Sequence, residues 1–169
     1  PMGHAIADFH QKGVAKLLRV FSSQFEEDEI PVKQLFRVES QMPAIERKAL
    51  EMAQGRILDV GAGSGCHSLA LQQNGKEVFA IDISSLSVET MQSRGVHQAR
   101  QVNLFDSSFC ETFDTVLMLM NGSGIVGRLE NLPAFFRRMK QILRPGGSIL
   151  MDSSDLRYLF EEEDGSFAI

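Results

Sequence analysis

The chain has 169 residues, 43% hydrophobic and 23% charged, a globular composition long enough for one domain with its own core. Its net charge is −5, with acidic runs at 26–29 (EEDE) and 161–164 (EEED) and no basic run, which argues against a nucleic-acid partner. Cys66 and Cys110 form neither a metal-ligand spacing nor a disulfide framework and point to a reducing, cytoplasmic setting; no apolar run reaches membrane-spanning length and no signal-peptide pattern is present.

Residues 1–38 read as an N-terminal helical or lid segment, with partly amphipathic patterns at 4–11 and 13–21. Residues 39–169 read as a single second unit. Pro43 opens a helix that Gly55 ends, with Ile45, Ala49, Met52 and Ala53 on one face. A first strand follows at Arg56–Val60 (RILDV), then a helix over Cys66–Gln73. The second strand is 77–81 (EVFAI), and Ser84 or Ser85 caps a helix that stops before Gly95. Strands three, four and five are expected at 96–104, 115–120 (TVLMLM) and 148–151 (SILM). Between the last two, Asn131 caps a helix with Leu132, Phe135, Phe136, Met139, Ile142 and Leu143 on one face, broken by 144–147 (RPGG).

Apolar strands alternating with amphipathic helices predict an α/β fold, a doubly wound, mostly parallel sheet in three layers. Ligands in such folds bind at the carboxyl ends of the strands. The stretch 57–68, ILDVGAGSGCHS, lies there, with Gly61, Gly63 and Gly65 on alternate positions. Glycine lets a ligand approach the backbone, and the helix that follows offers N–H groups and a partial positive charge.

A dinucleotide loop, G-x-G-x-x-G, would have its third glycine where Cys66 stands. The run from Asp59 to Gly65 instead resembles the D/E-x-G-x-G-x-G signature of class I S-adenosylmethionine-dependent methyltransferases. VFAIDIS (78–84), FDTVLMLMN (113–121) and LRPGGSILMDSSD (143–155) extend the resemblance, in order, over about residues 40–155. It implies a Rossmann-like sheet with strand order 3-2-1-4-5, S-adenosyl-L-methionine as cofactor, and methyl transfer to a small-molecule acceptor.

The resemblance also implies roles. Gly61, Ala62, Gly63 and Gly65 would form the loop under the methionine part. Asp59 would orient the ammonium, or else bond the loop's own N–H groups. Asp82 would accept the ribose hydroxyls, or else cap the following helix. Ile83 would pack on the adenine; Asn103 and Leu104 stand where the family has an acidic and an apolar residue, with Asp106 a rival. Asn121, at the end of the fourth strand, is the one candidate for contact with the acceptor, an ordinary Asn-Gly turn being the other reading. No catalytic residue shows as a motif.

Several residues are left as ordinary surface groups. His67 reads as a surface histidine. Arg37 reads as a surface arginine or a partner for the cofactor carboxylate, and Asp152 and Asp155 as a solvated strand end or a metal pair. The family adds two strands after the fifth, so the chain is expected to continue past Ile169, with 156–160 helical and 161–164 solvated. A cofactor-binding domain without full catalysis is the alternative function, and a nicotinamide oxidoreductase a distant one.

Overall fold

The computed structural model describes residues 1–21 and 27–154; the expectations for 155–169, Asp155 included, lie outside them. In chain order the elements are α1 (Met2–Lys12), β1 (Leu18–Val20), β2 (Asp28–Ile30), α2 (Ala44–Met52), β3 (Arg56–Val60), α3 (Cys66–Gln73), β4 (Glu77–Asp82), α4 (Ser85–Ser93), β5 (Ala99–Gln101), β6 (Phe113–Met118), α5 (Leu132–Ile142) and β7 (Leu143–Met151). Short 3₁₀ turns cover Val32–Phe36, Glu39–Gln41, Gly122–Val126 and Leu129–Asn131. No helix among the described residues is long and apolar enough to cross a membrane.

Five strands form one parallel sheet in the order β5-β4-β3-β6-β7, the expected 3-2-1-4-5. Alternation along β3 decides what each face carries. Leu58 and Val60 point into a core with Phe79, Ile81, Phe113, Val116, Phe135, Met139 and Ile142. Ile57 points the other way, into a core with Leu50, Ala53, Ala70, Leu71, Val78 and Leu117. Burying each of the large side chains stabilises the fold by about 1.5–3 kcal/mol. The apolar sequence of β3, β4 and β6 follows directly, since both faces of a central strand are covered.

The elements before β3 differ from expectation. Of the two amphipathic stretches only the first is helical, as 2–12; Leu18–Val20 pairs antiparallel with Asp28–Ile30, so part of 13–21 is strand. The pairing partner is acidic and mostly exposed, and neither strand has a core-facing alternation to read. In α2 the buried face is rotated from the expected one: Glu46, Ala49, Leu50 and Ala53 are covered, whereas Ile45 and Met52 are exposed. Lys76 closes that helix by donating to the carbonyls of Leu50, Glu51 and Ala53.

Other boundaries shift for local reasons. Ser84, not Ser85, caps α4 by accepting from the Ser87 N–H. The third strand shrinks to Ala99–Gln101 because 103–109 turn away, gripped by the buried Arg138, which donates to the carbonyls of Leu104, Asp106 and Phe109. Asn131 does not cap α5; its amide nitrogen donates to the Val126 carbonyl. Phe136 on that helix is half exposed. The stretch 144–147 is a bulge inside β7: Phe113 pairs with Leu143, then Thr115 with Ser148.

Helix α1 lies against α4. A Cβ on Gly3 would stand 2.0 Å from Ser84 Oγ, so only glycine permits this approach. His10 Nε2 bonds Ser93 Oγ at 2.9 Å farther along.

Candidate functional site

β3 ends at Val60, and the chain turns through Gly61 (φ 68°), Gly63 (φ 57°) and Gly65 (φ 80°) into α3. Positive φ at these positions is why glycine stands there. The loop's donors are engaged internally. Gly61 and Ala62 N–H both reach the Ile81 carbonyl (2.9 and 3.1 Å), and Gly63 N–H donates to Asp82 Oδ2 (2.9 Å). Gly65 N–H reaches the Ala62 carbonyl (2.8 Å). What these four residues offer a ligand is therefore space rather than N–H groups.

Two adjoining cavities open at this edge of the sheet, of about 190 and 590 Å³, sharing Met2, Val60, Gly61, Asp82, Leu119 and Met120. Asp59, Ala62 and Gly63 line the smaller, with Ile6, Ile30 and Leu35 from the N-terminal segment opposite them. Ile83, Asn103, Leu104 and Asn121 line the larger. Gly65 is brought to neither wall, and nor are Arg37, Asp106 and Asp152.

Gly65 is a packing residue. A Cβ there would stand 2.8 Å from Val96 Cγ2 and 2.9 Å from Met91 Cγ, in a left-handed backbone. Gly65→Ala is expected to destabilise the fold by about 2–4 kcal/mol, adding overpacking to the cost of positive φ. Urea unfolding checks this, and an unchanged midpoint would refute it.

Asp82 closes β4. Besides Gly63 N–H it accepts from Ser84 N–H at 2.8 Å, so it ties the loop to the start of α4 while lining both cavities. Asp59 is buried and accepts from the Ser68 hydroxyl at 2.6 Å. Burial pushes its carboxyl up, opposed by the nearby His67 and the Ser68 hydroxyl. Asp106, the rival to Asn103, is instead bonded to the backbone and hydroxyl of Ser108 and lines neither cavity.

His67 is not a surface residue. It is 5% exposed, lines the smaller cavity, and its Nε2 lies 2.9 Å from Glu46 Oε2. Arg37 Nη2 meets both oxygens of the same carboxylate at 2.7 and 2.8 Å, so Arg37 is engaged by Glu46 rather than left on the surface. Burial disfavours the charged imidazole, but hydrogen bonding with Cys66 and Glu46 outweighs it and pushes His67 up to about 10. For Glu46, burial is opposed by His67 and Arg37, which together hold its carboxyl below the usual value. A second tie runs beside this one. Arg94 donates to the carbonyl and hydroxyl of Ser64 (2.6 and 2.8 Å), lies over the Phe36 ring, and Ser64 in turn donates to the Leu35 carbonyl. The legible signal for the first network was Glu46 itself, a charge within an otherwise apolar helix face.

β6 stops at Met118, and Met120 (φ 60°) and Asn121 (φ 62°) both take the left-handed conformation. That backbone costs a residue with a side chain about 1–2 kcal/mol. Asp152 accepts from their N–H groups, which makes it a backbone partner rather than a solvated end. No cluster able to hold a metal is found among the described residues.

A parallel α/β sheet with a glycine loop after its central strand, an acid closing the next strand and cavities at that edge defines a Rossmann-like ligand-binding domain. The methyltransferase-domain family model matches residues 58–151, more than half of the chain, and the chain belongs to that family. It is 75% identical to the crystal structure of a SAM-dependent methyltransferase from Bacteroides fragilis in complex with S-adenosyl-L-homocysteine. The match covers 99% of this chain and 70% of that one, with a TM-score of 0.92. It is 31% identical to a Streptomyces cypemycin N-terminal methyltransferase, over 59% of this chain and 42% of that protein. It is 25% identical to a ubiquinone biosynthesis O-methyltransferase of Xanthomonas oryzae, over 88% and 63%. The chain thus spans about two fifths to two thirds of the length of these two curated relatives.

Proposed function

We propose that this chain binds S-adenosyl-L-methionine in the paired cavities and serves methyl transfer to a small-molecule acceptor. The observation that carries the cofactor is the charge and donor pattern of the loop. Its N–H groups at 61–63 and 65 are engaged within the protein, and two carboxylates, Asp59 and Asp82, line the cavities beside it. A pyrophosphate needs free loop donors, which this loop keeps engaged, whereas a ligand with an ammonium meets the Asp59 carboxylate favourably and one with ribose hydroxyls meets Asp82. The cofactor supplies a methyl group on a positively charged sulfur.

The chain's own residues bind and orient. Asp82 accepts hydroxyl donors at the junction of the two cavities, and Gly61 and Gly63 leave room along the loop. Ile83, Asn103 and Leu104 wall the larger cavity, where an adenine would find one apolar face and one polar side chain. Asn121, Leu119 and Met120 stand at the end of β6, where an acceptor would meet the cofactor. The acidic surface and the two free thiols fit the proposed small-molecule acceptor and cytoplasmic setting.

Calorimetry with S-adenosylhomocysteine and NAD tests the cofactor. The former is expected to bind at least tenfold tighter, about 1.4 kcal/mol or more. Equal affinity for NAD would overturn the reading. Transfer of labelled methyl to a metabolite panel separates an enzyme from a domain that only binds.

A further inference from the structure

We propose that Asp152 is a positioning residue, whose carboxylate shapes the cavity wall through the backbone of Met120 and Asn121. The role rests on the cofactor reading above for what that wall contacts. Asp152 follows β7, and its own N–H donates to the Met118 carbonyl at 3.3 Å, which anchors it one residue past the Met118–Met151 pair. Its Oδ2 accepts from Met120 N–H at 2.9 Å, and its Oδ1 from Asn121 N–H at 2.7 Å and Gly122 N–H at 3.4 Å. Three successive N–H groups thus converge on one carboxylate, and Ser154 Oγ donates to Asn121 Oδ1 at 2.8 Å.

Two consecutive non-glycine residues at positive φ persist only where the surroundings over-determine them, and such positions cluster at functional sites. A turn needing only its shape would take glycine at 120 and 121, as the chain does at its positive-φ positions 61, 63 and 127. Side chains at strained positions point to a use for those side chains. Met120 lines both cavities and Asn121 the larger, whereas Asp152 lines neither. It acts through them: the negative charge holds the N–H groups on one side, so the side chains are committed to the cavity wall. With Oδ1 held by Ser154, Asn121 keeps its amide nitrogen as a donor on that wall.

The test uses Asp152→Ala and Asp152→Asn in this chain, with two readouts. Amide hydrogen exchange at Met120 and Asn121 reports the turn without ligand, and calorimetry with S-adenosylhomocysteine reports the wall. In Asp152→Ala, exchange is expected to speed up, and the affinity to fall, by about tenfold or more, the scale for losing charge-assisted hydrogen bonds. Asp152→Asn keeps one acceptor oxygen and is expected to fall between. Unchanged exchange in Asp152→Ala would overturn the clamp. Faster exchange with unchanged affinity would show that the carboxylate only stabilises the fold, and the inference would be wrong. If Asp152→Ala does not fold, Asp152→Asn decides by the same two readouts. A wild-type chain with no affinity for S-adenosylhomocysteine defeats the cofactor reading and this inference together, and is recognised before any variant is made.

Discussion

Glu46→Ala is expected to lower stability by about 3–5 kcal/mol, the cost of leaving buried charges without their partner. The carboxylate is 5% exposed and serves two cations at once, Arg37 and His67. Arg37 cannot shed its charge, so it is left half-buried and unpaired. His67 can, and this gives the effect a pH signature. Its folded pKa, about 10, lies above the ordinary value of 6.5, so its contribution is complete below about 6.5 and lost as pH rises through 10. Glu46 is shifted down from 4.5, so its contribution is present above that value and lost as pH falls below it. The pair should therefore stabilise most between about pH 4.5 and 6.5. Urea unfolding of the wild type and variant near pH 6 and above pH 10 measures both parts. The difference between the two proteins should shrink at high pH; a pH-independent difference would mean that the imidazole is neutral throughout.

Asp82→Ala is expected to weaken S-adenosylhomocysteine binding by about 1.5–3 kcal/mol, roughly ten- to more than a hundredfold, with the fold retained. The carboxylate sits where the two cavities meet, and it already holds Gly63 and Ser84 in place. The variant therefore loses both a ligand contact and the tie between loop and α4. Ser84 still caps that helix through its own hydroxyl, so the stability cost should stay near 1 kcal/mol. Calorimetry on the folded variant decides: undiminished affinity would reduce Asp82 to the loop tie alone.

What could be read in advance follows the range of the interactions involved. β3 and α3 fall on their expected residues because RILDV is covered on both faces and the glycines punctuate the turn locally. Right-handed crossovers predict the doubly wound form without side-chain detail, and the order of the sheet is what the family resemblance implies. His67 was misjudged because its partner, Glu46, lies 21 positions earlier and reaches it only through packing of α2 against α3. Asp152 was misjudged for the same reason, since the N–H groups it accepts belong to a strand end some thirty residues upstream. The spacing of the glycines did not show that Gly65 also makes room for Met91 and Val96.

The two sides of the smaller cavity differ in how they are attached, and this bears on how long a ligand would stay. One side is the sheet edge, where Val60 and Asp82 belong to strands paired along their length. The other is Ile6, Ile30 and Leu35, supplied by the N-terminal segment. That segment is joined to the rest by separate polar ties: Arg37 to Glu46, Ser64 to the Leu35 carbonyl, and His10 to Ser93. Parting the sheet side breaks a β-ladder; parting the other breaks these polar ties and the packing of α1, with its buried Ile6, on α4. Slow dissociation would then measure the lifetime of those ties, not the strength of the strands.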